Sequence, residues 1–203
     1  QTWRELLTFY QKYAEVPFSI EADTLQRTGQ PPDYISFREA AINLLMHQDY
    51  GDHTRKARIA FFKDQTVFWN PGDAFVGGDS PEALLRSGEK EVRNPRIVSA
   101  FRRIGLSEQA GTGIRSIFRN WSQLGYVPPL IDNNKADKTF QLTLLKERLL
   151  SEEQLLFQSG LGVDLSDEEA KTFALAVRQE QVTPPEVQAL AQLSHEGAQA
   201  LLN

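Results

Sequence analysis

Glu39, Asn43 and His47 recur at i, i+4 and i+8, each step advancing only about 40° around an α-helix. They form one polar stripe, and the three side chains differ in what they can do. A glutamate can orient or deprotonate a water. An asparagine carbonyl is a hard oxygen ligand suited to Mg²⁺ carrying nucleotide phosphates. Two further pieces share this chemistry. Asn70-Pro71-Gly72 breaks a run rich in β-branched and aromatic residues, and Gly111-Thr112-Gly113 leads directly into an amphipathic stretch. Glycines at the start of a helix let backbone N–H groups approach a phosphate at its positive end. Two other readings compete. Ser36-x-x-Glu39 fits a capping box, in which Glu39 would only satisfy a backbone N–H at a helix start. His47, Asp49, Asp52 and His53 could instead be ligands in a metal-dependent hydrolase. No Gly-x-x-x-x-Gly-Lys phosphate loop is present.

The stripe lies within residues 36–50, which are otherwise apolar on nearly every side: Phe37, Ala40, Ala41, Ile42, Leu44, Leu45 and Met46. A helix of that kind is buried. Burying a carboxylate or an amide without partners costs several kcal/mol, roughly 2–7 for a neutral group, so the stripe should face a cleft, an ion or a ligand. Around it, residues 1–15 read as an amphipathic helix. An extended connection through Pro17 and Pro31-Pro32 follows, with a short strand near 18–21. Residues 57–62 and 66–69 read as a hairpin. Ser80-Pro81 and Asn94-Pro95 each place an N-cap before a first-turn proline, predicting helices over 81–86 and up to Gly105. A further helix over 114–124 is closed by Gly125. Residues 137–145 alternate as a strand whose partner is 130–132 across Asn133-Asn134-Lys135. The tail reads as helices over 167–179, 184–193 and 195–203, capped by Thr183 and Ser194, with the spacing of a helix-turn-helix.

Composition excludes several classes. The 203 residues are 40% hydrophobic and 24% charged, as in an ordinary globular chain. No apolar run approaches the roughly 18 residues of a membrane span, and the start is no signal peptide. Absence of cysteine rules out disulfides and thiolate metal sites and fits a reducing, cytoplasmic setting. Gln1 at the start and Asn203 inside a helical pattern read as a piece of a longer chain. The net charge of −5 hides an asymmetry: ten acidic and three basic residues put 147–203 at −7, leaving 1–146 near +2. Residues 86–119 carry eight Lys or Arg against three Glu, either a solvated helical face or a seat for an anionic partner.

The segments REAAINLLMHQDY, WNPGD and VRNPRIVSAFRRIGLSEQAGTGIRSI resemble the ATPase-like domain of bacterial transcriptional regulators related to the C-terminal part of the helicase RecG. That domain is a distant relative of the GHKL fold of gyrase, Hsp90, histidine kinases and MutL. The resemblance covers about 1–146. It implies an α+β, two-layer sandwich with helices on one face of a mixed or antiparallel sheet, then a helical, winged helix-turn-helix remnant over 147–203. It places Glu39 as general base and Asn43 as Mg²⁺ ligand. Nucleotide contacts fall to Asn43, His47, Asn70, Gly72, Gly111, Thr112 and Gly113, with 73–110 as a lid. Implied cofactors are ATP or ADP with Mg²⁺; implied partners are nucleotide, DNA in the full-length protein, and a second copy of the chain. Three departures stand out. Asn70 replaces the usual aspartate, Asp73-Ala74 follows Gly72 where a second glycine is common, and Gln48 replaces an arginine. The expected activity is binding with weak hydrolysis at most. The alternative is a nucleotide-free scaffold or dimerisation module. The helix His195 to Leu202 lacks any Lys or Arg, so DNA affinity would have to come from elsewhere.

Overall fold

The structure, a computed structural model, describes residues 2–12, 31–74, 81–85, 91–106, 112–179 and 181–203. The expected strand near 18–21, Gly111 and part of the basic stretch lie outside them. Helices α1 (Thr2–Gln11) and α2 (Pro32–His47) come first, then strands β1 (Arg58–Phe61) and β2 (Gln65–Pro71). A short 3-10 turn, Pro81–Leu84, stands where a helix over 81–86 was expected. Helices α3 (Pro95–Arg103) and α4 (Gly113–Gln123) follow, then β3 (Leu130–Asn134), β4 (Thr139–Leu145) and helices α5 (Glu152–Gly160), α6 (Asp167–Arg178), α7 (Pro184–Ala191) and α8 (His195–Leu202).

The four strands form one antiparallel sheet in the order β1-β2-β4-β3. Register follows from the strand period of two. Thr66 opposes Leu144, Phe68 opposes Leu142, and Asn70 opposes Phe140, so these six share one face. That face meets the helices: Phe68, Leu142 and Leu144 are buried with Phe37, Ala40, Ala41, Leu44, Ile117 and Trp121. On β1 and β2, the Arg58 guanidinium lies 4.5 Å from the centre of the Trp69 ring. α1 closes the core from the side, with Tyr10 stacked on Phe37 at 3.9 Å. Each large side chain buried here contributes roughly 1.5–3 kcal/mol.

α2 begins earlier than the sequence suggested. Pro31 is extended (φ −56°, ψ 145°) and Pro32 occupies the first helical position, where a missing N–H costs nothing. Ser36 is therefore inside the helix, its hydroxyl donating to the Pro32 carbonyl at 2.8 Å. The capping-box reading of Ser36 and Glu39 fails, because Glu39 lies two turns beyond the helix start. The role expected of Asn94 also changes. Its side chain makes no cap bond to α3. It donates instead to the carbonyls of Met46 and Gln48, at 2.9 and 2.8 Å, and so closes the far end of α2.

The tail is anchored to the same scaffold. The Ser122 hydroxyl on α4 donates to the Leu190 carbonyl on α7 at 2.6 Å. Val127, Leu149, Ala174, Leu175 and Leu190 form a second core. Ser166–Glu169 and Thr183–Glu186 form capping boxes, and Ser194 accepts from the Gly197 N–H. Among the described residues no helix is long and apolar enough to cross a membrane.

Asn94 supplies two bonds to otherwise orphaned carbonyls, so Asn94→Ala should lower unfolding free energy by about 1–2 kcal/mol. Urea denaturation checks this; an unchanged midpoint would show that water caps α2 equally well.

Candidate functional site

A cleft enclosing about 120 Å³ opens between α2, the ends of β2 and β4, α3 and the start of α4. Its wall includes Glu39, Asn43, His47, Asn70, Gly72 and Gly113, together with apolar side chains such as Leu44, Phe68, Val98, Ile114 and Phe140. On α2 the neighbours Ala40, Ala41, Ile42, Leu44 and Met46 are buried, whereas Glu39, Asn43 and His47 are half-buried. The polar stripe is thus the edge of a core helix left open along one groove. Thr112 is exposed beside Gly113; of Gly111 nothing is described.

α2 comes close to the first residue of α4 in the cleft. A Cβ added to Gly113 would stand 2.7 Å from Asn43 Nδ2 and closer still to a Glu39 carboxylate oxygen. Any side chain at 113 would therefore displace the ends of Glu39 and Asn43 from where they lie. Both polar groups reach the positive end of α4, an end whose N-cap residue, Thr112, makes no side-chain cap bond.

The opposite wall is built at the end of β2. Asn70 lies on the core-facing side, 1% exposed. Its Nδ2 donates to the carbonyls of Pro71 and Gly72, at 3.0 and 3.2 Å. Its carbonyl oxygen has no hydrogen-bond partner among the described residues. Gly72 has φ +101°, a conformation side chains resist, and its N–H donates to Lys138 O at 2.7 Å. The Asp49 N–H donates to Pro71 O at 2.7 Å, tying the end of α2 to the strand. Arg93, missed in the sequence as a site residue, lies over Gly72. Its guanidinium pairs with the Asp73 carboxylate at 3.2 Å and with Asp49 at 3.8 Å. An arginine immediately before the Asn94-Pro95 helix start was the available signal.

The metal-hydrolase grouping does not assemble. Asp52 is occupied by Arg55, 2.5 Å away, and by the Thr54 hydroxyl at 2.8 Å. The Arg55 hydrogen bond, then that of Thr54, holds its carboxyl well below the usual range. Among the described residues no three His, Asp or Glu side chains cluster as metal ligands.

Residues 54–144 match the family described as "Putative ATP-dependent DNA helicase recG C-terminal". That span holds the sheet up to Leu144, α3 and α4, with Asn70, Gly72 and Gly113, but not the α2 stripe. It supports a RecG-related, ATPase-like domain. No curated protein matches in sequence. The fold is similar to a crystal structure of the DIP2311 protein from Corynebacterium diphtheriae, with TM-score 0.59 and 18% identity. The match covers 97% of this chain and 40% of that one, so the chain spans about two-fifths of that protein's length.

Two outcomes test this geometry. Asn70→Asp replaces a donor facing two carbonyls with a charge, and should destabilise by about 1–3 kcal/mol at neutral pH. Burial and the carbonyls raise the folded-state pKa of the new carboxyl above its unfolded value. The penalty is therefore full above the folded pKa and vanishes below about pH 4, where both states are protonated. Denaturation midpoints across pH check it; a pH-independent penalty would contradict the carbonyl contacts. Gly113→Ala should cost less stability in a Glu39→Ala, Asn43→Ala background than in the parent, with coupling on the order of 1 kcal/mol. Additive urea midpoints would show that the three residues do not touch.

Proposed function

We propose that the cleft binds ATP or ADP with Mg²⁺, as the nucleotide-responsive part of a DNA-binding regulator. The observation that carries this reading is Asn70: a side chain almost wholly buried at the end of a strand, lining the cleft, with an unused carbonyl acceptor. An acceptor that opens on the cleft can take a hydrogen bond from a ligand there, and the amino group of adenine is a donor of the right kind. The apolar wall of Leu44, Phe68 and Phe140 suits a flat ring.

Asn43 supplies a hard oxygen donor, with Glu39 beside it. Mg²⁺ is bound by one or two such groups plus substrate phosphates, so Asn43 fits it, and the ion would neutralise phosphate charge. Glu39 would also be the group placed to accept a proton from a water. With Asn70 in place of aspartate, binding is the principal activity and hydrolysis slow.

DNA contact belongs to the tail or to the basic α3–α4 region. α8 carries no Lys or Arg, so the chain as it stands binds DNA poorly. A second reading, a nucleotide-free scaffold, is favoured by Glu39 already occupying the start of α4.

Isothermal titration with ATP and Mg²⁺ separates them. Binding is expected, with Asn43→Ala weakening it and Glu39→Gln leaving affinity near that of the parent while removing roughly two to four orders of magnitude of any turnover. No heat at millimolar nucleotide would establish the scaffold instead.

A further inference from the structure

The charged groups of the cleft wall are Glu39, Asp73, Glu91, Arg93 and Arg102, with His47 beside them. Three acidic against two basic side chains make the wall unfavourable to an anion unless some group is set aside to receive it. The start of α4 would ordinarily be that group, but the Glu39 carboxylate already lies against Gly113. Arg93 is committed to Asp73 and Asp49 and to the Gly72 turn. Arg102 differs. It lines the cleft, is exposed, and has no ion pair or hydrogen bond among the described residues.

The position of Arg102 follows from the helix that carries it. It lies four residues after Val98, hence on the same face of α3. Val98 is 4% exposed, packs with Ile42 and Met46 of α2, and lines the same cleft. Arg96 and Arg103 line a separate shallow surface with Ser99 and Ala100. Of the three arginines on α3, one shares the buried face and two do not. An arginine in register with an apolar face can lay its methylenes along that face and keep its charged head in water. It also places a forked, always-charged donor set at the mouth of the cleft.

We propose that Arg102, rather than the start of α4, grips the anionic end of the cleft's ligand, and that affinity rises with the ligand's phosphate charge through this residue. The inference rests on the nucleotide reading above. It adds that phosphate recognition comes from α3, so ligand binding would tie α3 to the α2–β2 wall.

Titrations of the full 203-residue chain with Mg-ATP, Mg-ADP and adenosine, followed by amide chemical shifts, read even millimolar binding. The parent should bind in the order ATP, ADP, adenosine. Arg102→Ala should weaken Mg-ATP by about tenfold or more, the range of a lost charge-assisted bond. It should leave adenosine affinity and the melting temperature unchanged, and Arg102→Lys should fall between. Mg-ATP binding undiminished in Arg102→Ala would overturn the assignment while leaving the nucleotide reading intact. So would an equal loss for adenosine, which marks a structural role. A parent that binds neither ATP nor adenosine would overturn the nucleotide reading and this inference together.

Discussion

Everything in the cleft depends on how closely α2 and α4 approach at Gly113. α2 is a core helix with one polar groove, and a polar groove inside a core is tolerable only if something meets it. The start of α4 meets it, and glycine at 113 leaves room for the Glu39 carboxylate and the Asn43 amide to lie against its backbone. Helix and sheet then follow: Phe37 fixes the other side of α2 against Tyr10, Phe61 and Phe68, so the groove cannot rotate away from α4.

A second set of bonds fixes the mouth of the cleft. Asn94 holds the last carbonyls of α2, Asp49 joins that end to Pro71, and Gly72 is held by Lys138. Arg93 bridges Asp49 and Asp73 across the Gly72 turn. The end of α2, the end of β2 and the approach to α3 are therefore one unit. A displacement of α3 that moved Arg93 would strain the strand end that carries Asn70.

α4 extends this unit into the tail. Its first residue meets the cleft, Trp121 donates to the Leu145 carbonyl at the end of β4, and Ser122 donates to α7. One helix of eleven residues thus touches both the candidate ligand site and the helices that follow the sheet. A shift of α4 would be felt by α7, because both contacts lie on one helix.

Much of this was legible in the residues themselves. The stripe Glu39, Asn43, His47 declares its face by its period alone, since helical geometry is local. The hairpins declared themselves by alternation and turn residues, and Gly105 and Gly125, with φ of +69° and +73°, ended their helices where glycine tolerates what other residues resist. Asn70 stood out as the start of the Asn70-Pro71-Gly72 break after a strand; that it faces the core came only with the sheet register. What the sequence could not decide were partnerships between residues distant along the chain. Asn94 before Pro95 has the local signature of an N-cap, yet its side chain reaches back to α2, 46 residues earlier. Ser36 and Glu39 have the local signature of a capping box, yet Pro32 starts the helix first. Arg93 and Arg102 look alike in sequence; only the packing of Val98 and the positions of Asp49 and Asp73 make one a strut and leave the other open to the cleft. Local signals depend on backbone geometry that a few neighbours fix, whereas the partner of a polar side chain is chosen by whichever group the fold brings near.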